Sequence, residues 1–294
     1  MITIIDLEFL GHQNTIGSFL IETLDGPLLI ETGPHSTLPV LEAGIEKAGY
    51  KLKDIRHVFL SHIHLDHAGA AWVFAQHGAT VYLHPLGQRH MADPSRLLAS
   101  AKMIYKEDMD RLWGTLKPIP ADQLRVVKDG ETVQVGDVGL RGVYTPGHAV
   151  HHIAWAMGKT LFTGDVAGVK IGSGIVVPPC PPPDINVEDW VASIGLIKKG
   201  GFEELYLTHF GKVTNVSEHL QELETRLHDW ANWMKPYWEK GADPKEVTPL
   251  FQTYVQQQLI AGGIEGEDLA RYEGANPSWM SVAGLMRYWR KKEG

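Results

Sequence analysis

The stretch Val58-Phe59-Leu60-Ser61-His62-Ile63-His64-Leu65-Asp66-His67-Ala68-Gly69 decides how this chain is read. Its apolar start, Val58 to Leu60, has the length and composition of a buried strand. That strand delivers three imidazoles and one carboxylate within six positions. Histidine is the commonest metal ligand, and so many polar groups beside a strand end converge only where a cation offsets their crowding. The stretch therefore points to a metal site at the rim of a sheet.

Working outward, short strands are expected at residues 2–5, 18–21, 28–30, 58–60 and 80–83, with Asp25-Gly26 marking a hairpin. A second β-rich set is expected at 132–135, 140–144, 153–155 and 160–162. Helical segments fall between, at 38–48 before Gly49 and 68–77 before Gly78. Strands interleaved with helices imply an α/β protein whose sheets are covered by helices. Two stretches interrupt the pattern. Residues 86–119 read as an amphipathic helical insertion, and Val177-Pro178-Pro179-Cys180-Pro181-Pro182-Pro183 reads as a stiff loop that needs no sheet partner. From Ser217 onward the spacing turns helical, through Leu220, Leu223, Leu227 and Trp230 and twice more beyond. These helices suit core packing, with a substrate lid or a homodimer contact as further uses.

Composition narrows the function. With 44% hydrophobic and 21% charged residues the chain is an ordinary globular protein, and a net charge of -8 disfavours nucleic acid as partner. The single cysteine, Cys180, forms no internal disulfide. The first ten residues carry Asp6 and Glu8 without a basic start, so they read as a strand and not as a signal peptide. No apolar run reaches membrane-spanning length. The expectation is a cytoplasmic protein acting on a small molecule, without nucleic acid or membrane.

Three further candidates sit just past expected strands: His148 in Thr145-Pro146-Gly147-His148, Asp165 in Thr163-Gly164-Asp165, and His209 in Thr208-His209-Phe210-Gly211. Strand ends are rigid, and the loops beyond them are free to converge. Singly each reads as a turn residue; in this order, behind the first cluster, they read as a site.

The pattern HxHxDH followed by His, Asp and His resembles the metallo-β-lactamase superfamily over about residues 1–215. The resemblance implies a four-layer αββα sandwich as catalytic domain (1–215, with the insertion 86–119) and a C-terminal helical extension (216–294). It implies that His62, His64 and His148 bind one metal, that Asp66, His67 and His209 bind a second, and that Asp165 bridges them. Imidazole and carboxylate donors suit zinc and tolerate iron or manganese. Cys180 is left out, since seven ligands already complete two sites. The implied reaction is attack of a hydroxide shared by the two metals on a small carboxylic ester, lactone or thioester, with Asp66 orienting the attacking oxygen or passing its proton.

Within the superfamily the chain looks like glyoxalase II thioesterases and N-acyl homoserine lactonases. Flavin-linked diiron proteins have Glu at the place of His64, and many true β-lactamases lack a bridging Asp. Too few positions separate His148 from Asp165 for the extra domain of mRNA-processing nucleases. A phosphodiesterase or nuclease and a mononuclear-iron sulfur dioxygenase remain as alternatives. The family often has Asp-Thr-Gly where this chain has Glu31-Thr32-Gly33, so a supporting role for that carboxylate does not carry over. Ser61, Thr145, Thr163 and Thr208 precede ligands closely, and His151 and His152 are placed to line the site. The other histidines, His219 among them, read as structural or exposed. Met103, Tyr105 and Trp113 are the side chains of the insertion that would suit an acyl chain.

Overall fold

A computed structural model describes residues 1–294. One six-stranded sheet holds β1 (Ile2–Asp6), β2 (Gly17–Ile21), β3 (Leu28–Ile30), β4 (His57–Phe59), β5 (Thr80–Leu83) and β6 (Leu124–Val126) in that order. Its first three strands pair antiparallel and the rest parallel. The second sheet has the order β12 (Gly211–Val213), β11 (Glu204–Leu207), β10 (Thr160–Gly164), β9 (Ile153–Met157), β8 (Val138–Tyr144), β7 (Thr132–Val135). Only β10 and β11 pair parallel there.

Strands β2, β3 and β9 are apolar on both faces because both faces are covered there, whereas β7 alternates buried and exposed residues. In β2, Phe19 and Ile21 join the core between the sheets while Leu20 joins the outer one; in β9, Ile153 and Trp155 point between the sheets while Ala154 and Ala156 point out. The helices are α1 (Leu38–Lys47), α2 (Leu65–Ala68), α3 (Ala71–Gln76), α4 (Pro85–Ala92), α5 (Ser95–Tyr105), α6 (Met109–Trp113), α7 (Val187–Lys199), α8 (Val216–Glu239), α9 (Pro244–Ala261), α10 (Glu267–Ala275) and α11 (Ser278–Glu293). Residues of α1, α3, α4 and α5 cover the first sheet, and residues of α7 to α11 cover the second. The result is the four-layer αββα sandwich expected from the sequence. No helix is long and apolar enough to cross a membrane.

Two differences from the sequence reading have local causes. The helix expected over 68–77 is broken between α2 and α3. Ala70 leaves helical geometry at φ -98° and ψ 0°, its N–H donating to the Gly33 carbonyl at 3.0 Å, and the close approach to that loop leaves no room for a side chain at Gly69, whose Cβ would lie 2.8 Å from Pro34 Cα. Helix α7 went unforeseen although Asn186 caps it, accepting from Asp189 N–H at 2.9 Å, and its last turn carries Lys198 and Lys199.

His219 on α8 is fully buried and donates through Nε2 to the Ala167 carbonyl at 2.8 Å. Burial pushes its pKa from the ordinary 6.5 down to about 4. Below pH 6.5 the unfolded chain binds a proton there that the native state refuses, so stability falls as pH drops from 6.5 toward 4, by ~3 kcal/mol at most. His219→Gln, which can keep the donor, should make the fall of Tm across that window less steep; an unchanged profile would remove His219 from acid destabilisation.

Candidate metal centre

The seven candidate residues come from four strand ends that meet at one edge of the sandwich. His62 and His64 follow β4, and Asp66 and His67 lie on α2, while His148 lies between β8 and β9, Asp165 follows β10 and His209 follows β11. The two sheets are stitched together at this point. Trp155 Nε1 donates to the Leu60 carbonyl at 3.1 Å, Ile153 N–H to the Ser61 carbonyl at 2.8 Å, and Gly17 N–H to the Thr208 carbonyl at 2.8 Å. Gly164 lets β10 hand over to Asp165: its φ is +51°, and a Cβ there would lie 2.4 Å from Ser61 Oγ.

All seven side chains converge. His64 Nδ1 lies 2.9 Å from His62 Nε2 and 3.1 Å from His148 Nε2. Asp165 Oδ2 lies 3.2 Å from His148 Nε2, and its Oδ1 lies 3.2 Å from His67 Nε2 and 3.4 Å from His209 Nε2. Asp66 Oδ2 lies 3.6 Å from His67 Nε2 and 3.5 Å from His209 Nε2. Three triples hold ligand atoms close enough to share an ion: His62, His64 and His148; Asp66, His67 and His209; and His62, His67 and Asp165, which spans the other two.

The rest of each ring decides whether these atoms fit a cation. His148 Nδ1 donates to the Pro179 carbonyl at 2.9 Å and His209 Nδ1 to the Thr15 carbonyl at 2.7 Å, so in the neutral rings Nε2 is a bare lone pair aimed inward. In one half of the site lone pairs meet lone pairs; in the other they meet carboxylates. His67 Nε2 and Asp165 Oδ1 are buried with no hydrogen-bond partner. A tetrahedral zinc site with Zn–N of ~2.0–2.1 Å brings its nitrogens to about 3.3 Å from one another, close to the spacing seen. The residues fit a divalent cation.

Titration splits the same way. Burial, then the neighbouring imidazoles, lowers His62 well below its ordinary range, and burial with His148 lowers His64 to about 3. Burial lowers His148 too, against the pull of Asp165. At His67, burial is outweighed by Asp165, Asp66 and Glu31, and the pKa rises well above the usual value; His209 rises also, burial again being outweighed, first by Asp165. Burial would raise Asp66, yet His67 and His209 bring it down to about 2.

Several supporting groups were not legible as such. Glu31 receives Ser61 N–H on Oε1 at 3.0 Å and holds Oε2 3.3 Å from His67 Nδ1, off line for a hydrogen bond. The longer side chain thus stands behind His67 after all, from a backbone at φ +63° that costs about 1–3 kcal/mol for a residue other than glycine. Carboxylates behind ligating imidazoles are worth about 10–100-fold in metal affinity. Glu31→Ala should weaken metal binding by that factor in a competition with a chromogenic chelator, and unchanged affinity would exclude this role. Of the four hydroxyls, only that of Ser61 touches a candidate ligand, His62 Nδ1 at 2.9 Å. Thr145 Oγ1 instead meets His152 Nδ1 at 2.8 Å, and His152 Nε2 accepts Asp165 N–H at 3.1 Å, so His152 holds the backbone of Asp165 and does not face the cleft.

A cleft of about 560 Å³ opens over the centre. Its floor is His64, Asp66, His148, Asp165 and His209, and the proline loop, Phe9, α5, α6 and the connection between α10 and α11 form its walls. Tyr105 and Trp113 line it as expected from the insertion, whereas Met103 is 74% exposed and does not. Cys180 is buried, its thiol pushed up by burial, and stands outside every ligand group. Arg287 and Lys291 both donate to the Pro183 carbonyl, at 3.1 and 2.6 Å, bracing the proline loop.

A family model described as the metallo-beta-lactamase superfamily matches residues 16–209. The chain is 30% identical over 151 residues to a metallo-beta-lactamase fold-containing protein of Sulfurisphaera tokodaii, across 49% of this chain and 57% of that protein. It is 25% identical over 170 residues to an atrochrysone carboxyl ACP thioesterase of Aspergillus fumigatus, across 57% of this chain and 42% of that protein. The chain spans about half the length of the curated relatives it matches. A solved metallo-beta-lactamase family protein of Thermus thermophilus superposes with a TM-score of 0.64 at 19% identity, over 99% of this chain and 93% of that one. That likeness is one of fold.

Proposed function

The chain belongs to the metallo-β-lactamase superfamily, and on that premise we propose that it is a two-metal hydrolase of a small carboxylic ester, thioester or lactone. The observation that carries this reading is Asp165, whose two oxygens each lie 3.2 Å from an imidazole of a different ligand set. His62, His64 and His148 would hold one cation, Asp66, His67 and His209 the other, and Asp165 both. Zinc is the expected metal, with iron or manganese accepted by the same donors. Residues 1–215 are taken as the catalytic portion and 216–294 as its helical extension.

Divalent cations in these places supply Lewis acidity, polarising a carbonyl oxygen and bringing the pKa of water toward neutrality. In the net reaction the oxygen of water bonds to the acyl carbon, the bond from that carbon to oxygen or sulfur breaks, and the leaving group departs with a proton. Acid and alcohol or thiol result. Asp66 faces the cleft, its side chain 23% exposed against 4% for Asp165. Ionised at neutral pH, it can accept a hydrogen bond from the attacking water and orient it.

The fungal relatives that carry a thioesterase name support acyl chemistry. A glutathione thioester carries carboxylates that call for free basic side chains, and the C-terminal Arg287 and Lys291 are instead engaged with the Pro183 carbonyl, which favours an ester or lactone. The test is a panel of esters, lactones, thioesters and phosphodiesters with the metal-loaded protein. Acyl substrates should be turned over at least about a hundredfold faster than phosphodiesters; faster phosphodiester cleavage would overturn the reading.

A further inference from the structure

We propose that the cleft selects acyl groups that are large, flat and apolar, an inference that rests on the hydrolase reading above. Its walls carry a run of rings. Phe9 stacks on Trp113 at 5.6 Å and 19°, Trp113 meets Tyr105 edge-on at 5.0 Å, and Tyr105 meets Trp279 edge-on at 6.0 Å. These rings come from three separate segments, the turn at Phe9, the insertion, and the start of α11. Pro181, Pro182 and Pro183 add a further apolar wall. Aromatic faces and prolyl rings present flat apolar area, the surface best matched by another ring. An acetyl group would leave most of the 560 Å³ to water and the rings unburied.

The charges of the cleft walls are already engaged. Arg111 pairs with Asp108 at 3.0 Å, and Glu273 accepts both Ser278 N–H and Ser278 Oγ–H, at 2.9 and 2.7 Å. Arg111 and Asp108 lie at the exposed rim, their side chains 60% and 59% accessible, and deeper in the walls the one remaining charge, Glu273, is taken up by Ser278. The Tyr105 hydroxyl has only the Met280 sulfur, 3.5 Å away, as acceptor, and thioether sulfur accepts weakly. Burial and the nearby Asp66 push this phenol up, so it keeps its proton and can donate to an oxygen carried by the acyl ring. Binding of a remote ring, used to hold the scissile carbonyl over the floor, appears in kcat/KM.

The experiment compares 4-nitrophenyl acetate with 4-nitrophenyl 2-naphthoate on the metal-loaded enzyme, and titrates sodium 2-naphthoate and sodium acetate by calorimetry. The naphthoyl ester should exceed the acetyl ester in kcat/KM by at least about tenfold, and that ratio should fall at least about tenfold in Trp113→Ala and in Trp279→Ala. Trp279 is 38% exposed, so its removal leaves the fold standing. Naphthoate should bind more tightly than acetate and lose that advantage in both variants. Equal or inverted ester rates with hydrolysis intact overturn the inference and leave the hydrolase reading in place. If neither ester is hydrolysed, the hydrolase reading is decided by the substrate panel above and naphthoate binding decides this inference alone: binding lost in the variants upholds the apolar acyl site, and no binding, or binding undiminished in both variants, overturns it.

Discussion

Asp165→Ala is expected to lower kcat/KM for ester hydrolysis by about a thousandfold or more and to strip the protein of both cations. The reason is positional. The carboxylate is buried, and its two oxygens face different ligand sets, Oδ2 toward His148 and Oδ1 toward His67 and His209. Without it the first set keeps three imidazoles and no anion, and the second keeps a single carboxylate, Asp66. The two cations would then face each other with no negative charge between them. Asp165→Asn separates charge from shape: it keeps the size of the side chain and removes the anion, so it should lose nearly as much activity. Atomic absorption after dialysis, alongside initial rates and a circular dichroism check of folding, reads both effects. A folded Asp165→Ala protein with full esterase activity would contradict the assignment.

Gly147→Ala should be among the most damaging single methyl groups outside the ligands, destabilising the protein by about 4 kcal/mol and lowering Tm by about 10 °C. Two costs combine. Gly147 sits at φ +132°, a conformation side chains rarely adopt, and a Cβ there would lie 2.3 Å from Trp190 Cα and 2.5 Å from Trp190 N. Those are backbone atoms of α7 and cannot rotate away. The Trp190 ring is itself fully buried, with Nε1 donating to the Val166 carbonyl at 2.8 Å and the ring meeting His148 in a T-shaped contact at 5.6 Å. Relief of the clash therefore has to move the turn that presents His148. Differential scanning calorimetry checks the stability, and activity per folded molecule should fall with it; a shift in Tm under 2 °C would show that α7 yields more easily than its packing implies.

What the sequence disclosed, and what it hid, follows from which atoms carry the function. An α/β protein was legible in strands interleaved with helices, while the four-layer sandwich and the convergence of the seven side chains followed from the order of the HxHxDH, His, Asp and His motifs and the family they resemble. The acceptors that aim His148 and His209 are main-chain carbonyls of Pro179 and Thr15. Every residue has a carbonyl, so no residue type announces one. Glu31 could be seen as a departure from Asp but not judged, because its reach depends on a left-handed backbone that only the fold reveals. The same holds for the cleft. Tyr105 and Trp113 were visible as aromatics of an insertion, yet that Trp279 and Met280, more than 160 positions later, complete the same wall is a fact of tertiary packing.

The most direct test of the whole account is a crystal structure of the zinc-loaded protein, with anomalous scattering measured at the metal edge. Two peaks should stand in the centre, one among His62, His64 and His148 and one among Asp66, His67 and His209, with Asp165 in contact with both. A single peak, or peaks remote from these side chains, would contradict it.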